Sequence, residues 1–401
     1  MQTLLLSFFF LFLPVQLGYH FWPDWAYVNG IRVDYLSPTL FLIDLIFMVV
    51  VIVWVVERRG SKNKWLVVGG WWSGGWWLVF GGLIALNIIF SESWQVSIYK
   101  WLVFFKLAVF AFYIYKNWKI IRRIIYWPIL ASMVWSITLG IGQMVNQGSF
   151  GGLVYLVGER MHNVDTIGIT KTVLYGKEIL RPYGSFGHPN VFGAYGLFCG
   201  VLLLKIAKNN RQRWMGFGVG VAMAVVSFSQ NALMGIGAVL LMWILVEKRI
   251  DKVYKYFLIG VLTISLVALI IFGIGGVGLE GRKEIVERIQ LIKVAYDSVV
   301  NNIFFGVGLG NFVYNRMLQP VHNIIILLLQ ELGVVFFVLV LVWFNKLINA
   351  IGEKGAVALY LFFVILVTGM VDHYWITSLP MQYLLALAIG VGAYYAKDRS
   401  L

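Results

Sequence analysis

"VHNIIILLLQELGVVFFVLVLVWFNK", residues 321–346, decides the fold class. Between Asn323 and Phe344 its one charged residue is Glu331. A helix over that run is roughly 33 Å long at about 1.5 Å per residue, and the hydrocarbon core of a bilayer is about 30 Å thick. The run shows no apolar/polar alternation, so it reads as a membrane-spanning helix rather than a strand.

Working outward from that run, apolar stretches between charged gaps predict about twelve helices. They cover 2–18, 39–56, 65–90, 98–115, 124–146, 191–206, 214–228, 231–246, 256–273, 323–344, 355–371 and 379–396. The composition agrees, because the chain is 60% hydrophobic and only 12% charged. Soluble domains carry about 25% charged residues. The expected fold is therefore an all-α polytopic membrane protein, a single integral membrane domain over residues 1–401. The first segment has no basic stretch ahead of its apolar run, which predicts a retained helix rather than a removed signal peptide. Cys199 has no second cysteine to pair with.

The net charge of +14 raises the question of nucleic acid. The positions of the charges answer it. Most of the 32 Lys and Arg residues lie in the gaps "ERRGSKNK", "KNWKIIRR", "KIAKNNRQR", "EKRIDKVYK" and "NKLINAIGEK" and in the tail "KDRSL". These gaps alternate with others along the chain, so the positive-inside rule predicts that they face the cytoplasm together with both termini. The charge is a topology signal, and no nucleic-acid partner is expected. The opposite side receives two long extracytoplasmic loops, at 147–190 and 274–322, and all five histidines. Chemistry is expected there.

The later loop holds "EGRKEIVERIQLIKVAYDSVV", with Ile285, Ile289, Ile292 and Tyr296 at helical spacing. It predicts an amphipathic helix lying on the membrane surface, broken afterwards by "GVGLGN".

Four constellations stand out. In "RPYGSFGHPN", Pro182 and Gly184 stop regular helix, and Pro189 suits a first helical turn. Arg181, His188 and Asn190 are then held where a helix N-terminus favours an anion, although a merely capped helix start explains the same residues. In "PVHNIIILLLQELG", His322 and Asn323 mark a second loop-to-helix junction. "VDHYW" places Asp372 beside His373, where a carboxylate can orient an imidazole or simply anchor the interface with Tyr374 and Trp375. "SFSQNALMG" reads as a helical hairpin turn whose serines cap. Inside the spans the charges are few. Glu331 and Lys106 are expected to face the bundle interior and find partners, with each other as one pairing. No Asp-x-Asp pair, zinc-type Cys/His spacing, Walker loop or G-x-S-x-G occurs, so neither a metal nor another cofactor is expected.

In this order, "RPYGSFGHPN", "SFSQNA", "NNIFFGVGLGNF", "VHNIIILLLQELG" and "DHYW" resemble the O-antigen ligase and O-antigen polymerase superfamily of bacterial membrane glycosyltransferases. The likeness covers roughly residues 180–380. It implies a GT-C-like helical fold in the bacterial inner membrane and a site on the extracytoplasmic side. It also implies a polyprenyl-pyrophosphate-linked glycan donor, a glycan, lipid or protein acceptor, and metal-independent transfer. Carried over residue by residue, the pyrophosphate-holding role falls on Arg181, Arg282 and Arg288, and assistance to the attacking hydroxyl falls on His322. One departure is that the family's hairpin turn carries Ser-Arg where this chain has Ser229-Gln230. The residues do not separate ligase from polymerase. The reading from another class is a lipid-linked glycan flippase or other transporter, which would concentrate charge at mid-membrane along its helices.

Overall fold

The computed structural model describes residues 1–59, 76–174, 176–246, 279–314, 318–352 and 355–397. The predicted helix at 256–273 lies outside the described residues. Among the described residues, the first eight helices are α1 (Gln2–Leu11), α2 (Leu42–Arg59), α3 (Trp76–Ile89), α4 (Trp94–Ile124), α5 (Tyr126–Asn146), α6 (Pro189–Ile206), α7 (Asn210–Val226) and α8 (Gln230–Val246). After them come α9 (Leu279–Asn301), α10 (Ile324–Ala350), α11 (Ala356–Gly369), α12 (Tyr374–Thr377) and α13 (Leu379–Lys397). Among the described residues, α4, α5, α6, α10 and α13 are long and apolar enough to cross a membrane. The protein is a mostly helical, multi-pass membrane protein.

Among the described residues, sheet is confined to short antiparallel pairs in the connections. Gly18–His20 pairs with Thr39–Phe41, Tyr27–Val28 with Ile31–Arg32, and Lys171–Leu174 with Lys177–Leu180. The first pair explains why α1 ends at Leu11 instead of continuing to residue 18. Pro14 supplies no N–H for a further turn, and the chain beyond it is drawn into a strand.

Packing is densest where α6 meets α7. A Cβ on Gly220 would sit 2.5 Å from the Gly196 carbonyl oxygen and 2.8 Å from the Gly200 Cα. Only glycine lets the two backbones come that close, the usual device for helix contact in lipid. Nearby, α2, α4 and α13 are joined by a buried polar knot. Lys106 donates to Asp44 Oδ1 at 2.7 Å, and Tyr383 donates to the same oxygen at 2.7 Å. Lys106 therefore pairs with Asp44 and not with Glu331. Glu331 instead sits beside Lys100 and accepts from the Gly310 N–H.

The segment after α9 enters a break in α10. Gly333 takes φ 71° and ψ 168° in mid-helix. That interruption frees backbone groups which lipid could not satisfy. Residues 303–308 satisfy them: Val307 N–H donates to Gln330 O at 3.0 Å, Gly308 N–H to Glu331 O at 3.1 Å, and Val334 N–H to Ile303 O at 2.8 Å. Asn87 completes the junction, donating to both Phe305 O and Glu331 O at 2.8 Å. The docked loop fixes α9 against the start of α10, and α9 carries Arg288.

α9 has the amphipathic form predicted for it. Val286, Ile289, Ile292, Tyr296 and Val300 are exposed along one side, and Leu291, Ala295 and Ser298 are buried on the other.

Candidate functional site

The stretch before α6 is shaped by Gln143 of α5. Its side chain donates to Gly184 O at 2.9 Å and accepts from Gly184 N–H at 2.8 Å. Gln143 also donates to the buried Glu159 at 2.8 Å. Glu159 in turn accepts from the N–H groups of Phe150 and Gly151 at 3.0 and 2.8 Å. The loop of residues 147–188 is thus anchored from beneath, and it delivers His188 to the N-cap of α6 with Pro189 in the first turn.

His188 has both ring nitrogens engaged. Nδ1 accepts the Asn190 N–H at 3.1 Å, which leaves the proton of a neutral ring on Nε2, 3.0 Å from Thr170 Oγ1. Burial pushes this imidazole down to about 4, and the Arg181 guanidinium adds to the fall. It is neutral at pH 7 and acts as a cap and a strut. Asn190 then carries the connection inward. Its Oδ1 accepts from Arg181 Nη2 at 3.0 Å, and its Nδ2 donates to Asp372 Oδ2 at 3.0 Å. Arg181 also donates through Nε to Ser227 O at 3.0 Å, in the turn between α7 and α8.

Asp372 is the hub. The loop from α11 to α12 holds it 5% exposed. Its Oδ1 accepts the His373 N–H at 2.8 Å and faces His322 Nδ1 at 3.4 Å and His373 Nε2 at 3.9 Å. The His322 and His373 rings lie 5.0 Å apart, centre to centre. His373 is steadied from behind by Thr377 Oγ1, 2.8 Å from its Nδ1. Burial raises the Asp372 carboxyl, but the facing His322, with His373 and His188, outweighs it. The group is held below the usual carboxylate range and is ionised at pH 7. Burial brings His373 down to about 4 against the pull of Asp372, so this ring is neutral at pH 7.

Asn323 brings His322 to the cluster. Its Oδ1 accepts the N–H groups of Ile325 and Ile326 at 2.9 and 3.1 Å, capping α10. Its Nδ2 donates to Met370 O at 3.0 Å, in the loop that holds Asp372. Arg288 reaches the same loop from α9, with Nη1 3.4 Å from Val371 O.

The fold thus gathers Arg181, His188, Asn190, Arg288, His322, Asn323, Asp372 and His373 at one end of the bundle. The Arg282 side chain lies outside the described residues. His20 pairs with Thr39 at 3.0 Å in the first strand pair, and the His162 ring packs at a tilt against Tyr183, so neither joins the hub. Arg160 joins the edge of the cluster without having been singled out by its sequence context. Its guanidinium carbon lies 3.4 Å from where a Cβ on Gly187 would sit. Its presence among the four basic residues of that loop was the one signal available.

An ionised carboxylate beside an imidazole, with guanidiniums at its margin, can orient a base and stabilise an anionic leaving group. No model of a known protein family matches the chain, and no curated protein sequence does.

Proposed function

We propose that this protein is a bacterial inner-membrane glycosyltransferase of the O-antigen ligase or polymerase type, with about twelve spans and a GT-C-like fold. On the extracytoplasmic side it moves a glycan from polyprenyl pyrophosphate to an acceptor hydroxyl. The observation that carries this reading is the Asp372 hub. It joins three motifs of the resemblance: the Asn190 side chain and the His373 N–H donate to it, and His322 Nδ1 faces it at 3.4 Å. A capped helix start alone gives no reason for these segments to meet on a buried carboxylate.

In the reaction, the acceptor oxygen attacks C1 of the lipid-linked sugar as the C1–O bond to pyrophosphate breaks. The electron pair of that bond leaves on the pyrophosphate. Asp372 orients His322 through Nδ1, and the far nitrogen, Nε2, takes the acceptor proton. Arg288 and Arg181, with Arg282, meet the charge growing on the leaving group. A single displacement inverts C1.

Arg181 also bears on the departure at Ser229-Gln230. Its hydrogen bond to Ser227 O puts a guanidinium against the turn where the resemblance expects one from the turn itself. The transporter reading draws on charge along the helices, and there Asp44 and Lys106 neutralise each other. The test is transfer by purified protein given lipid-linked repeat units, with and without a lipid acceptor. A ladder of products identifies a polymerase and a single addition a ligase. Absence of any transfer by folded protein would overturn the reading.

A further inference from the structure

We infer that His322, Asp372 and His373 form a binding site for a divalent cation of the zinc class. One ligand atom from each of the three lies within 4.8 Å of the other two. Tetrahedral zinc, with bonds of about 2.0–2.1 Å, sets neighbouring ligand atoms about 3.4 Å apart. The His322–Asp372 pair already has that spacing at 3.4 Å, and the His373–Asp372 pair at 3.9 Å needs only a small closure by ring rotation.

Two further observations point to a cation. His322 Nδ1 is buried and has no well-formed hydrogen bond among the described residues, Asp372 Oδ1 facing it only from 3.4 Å. A buried polar atom left this way is costly and calls for a partner. The outward atoms of the other two ligands are held as supporting groups usually hold them at metal sites. Thr377 Oγ1 lies 2.8 Å from His373 Nδ1, and Asn190 Nδ2 donates to Asp372 Oδ2 at 3.0 Å. That arrangement aims Nε2 and Oδ1 inward. Oδ1 already accepts the His373 N–H at 2.8 Å, which uses one of its two lone pairs. Two imidazoles with one carboxylate suit Zn²⁺, whereas Mg²⁺ and Ca²⁺ ask for oxygen ligands. The fourth position is left to water or a substrate oxygen.

One consequence rests on the glycosyl-transfer reading. A cation on Nδ1 of His322 confines the ring proton to Nε2, the atom that has to accept a proton from the acceptor. Zn²⁺ is therefore an inhibitor at this site, and not a cofactor.

Titrating Zn²⁺ calorimetrically into EDTA-treated, full-length protein in detergent tests the site without any transfer assay. One saturable site per chain is expected, with no competition from excess Mg²⁺. His322→Ala and His373→Ala should each weaken binding at least as much as loss of a supporting partner does, roughly 10- to 100-fold. His20→Ala, away from the hub, should bind normally. Co²⁺ offers a second reading in the same proteins through the absorption band of a tetrahedral site. Absence of saturable binding, or equal binding by His322→Ala and the parent protein, would overturn the inference. Zn²⁺ that binds there without slowing transfer would keep the site and refute His322 as the base. Metal-free protein that binds Zn²⁺ but never transfers glycan would keep the site and refute the glycosyltransferase reading.

Discussion

Asn190 donates its side-chain amide to Asp372 Oδ2 at 3.0 Å while its carbonyl oxygen accepts from Arg181 Nη2 at 3.0 Å. One planar amide thus fixes a guanidinium on one side and an ionised carboxylate on the other. Because the N–H₂ and C=O ends are not interchangeable, the two charged partners also fix which way the amide points.

Asn190→Asp replaces the donor facing Asp372 with a second carboxylate oxygen. Hydrogen bonds to charged groups are worth about 1.5–3 kcal/mol, so transfer should fall roughly 10- to 150-fold, with like-charge repulsion adding to the loss. Asn190→Ala should fall less far, because it removes the link without adding charge. Steady-state transfer rates of the two purified variants decide. Equal, near-normal rates would mean that the Asn190–Asp372 link plays no part in the reaction.

His322→Ala should lower turnover by about 100- to 10,000-fold, the usual range when general-base help is lost. Protein yield and donor affinity should hardly change, since α10 is capped by Asn323 and not by His322. A well-folded His322→Ala protein with normal turnover would end the assignment and shift attention to His373.

The long membrane-spanning helices among the described residues were legible in the sequence because lipid forces each span to satisfy its own backbone, so long apolar runs have one solution. Where partners came from distant parts of the chain, legibility failed. The end of α1 depends on a strand pairing between residues 18–20 and 39–41, which no helical periodicity reports. Lys106 and Glu331 were each recognised as needing a partner, but Asp44 for Lys106 and Lys100 for Glu331 follow from how the helices are rotated. In the sequence, Arg181 and Asn190 belong to one constellation, His322 to a second and Asp372 to a third. That Asp372 collects the others could not be read, because its contact to Asn190 spans 182 positions. The helix expected over 323–344 runs straight through Gly333, and only the docked 303–308 segment shows why φ must be positive there.

The Asp44–Lys106 pair sets a stability test. Removing one member of a buried ion pair strands the other and typically costs about 3–5 kcal/mol. Lys106→Met should therefore lower the thermal midpoint in detergent. The double change Asp44→Asn with Lys106→Met should recover part of it, because no charge is then left alone. Tyr383 would still donate to the amide oxygen at position 44. A double variant less stable than Lys106→Met would show that the pair is not the relevant unit.

Stripping divalent cations with EDTA should leave transfer undiminished. The leaving pyrophosphate is met by guanidinium groups, Arg181 and Arg288 among them, which need no Mg²⁺. Preparations carrying trace Zn²⁺ should gain activity. Activity lost with EDTA and restored by Mg²⁺ or Mn²⁺ would refute the arginine-based account of leaving-group stabilisation.

Arg288→Lys keeps the charge and should still fail. Arg288 reaches the Asp372 loop from α9, with Nη1 3.4 Å from the Val371 carbonyl oxygen. From there a planar guanidinium can hold that carbonyl with one edge and offer two parallel N–H groups to phosphate oxygens with another. A lysine ammonium is a single point charge and cannot do both. The loss should therefore show in donor binding as well as in turnover, with KM for the lipid-linked donor rising and kcat falling. His322→Ala, in contrast, should lower kcat and leave KM nearly alone. Measuring both variants against a series of donor concentrations separates the two roles. If Arg288→Lys changes neither constant, Arg288 braces the loop at Val371 and does not touch the donor.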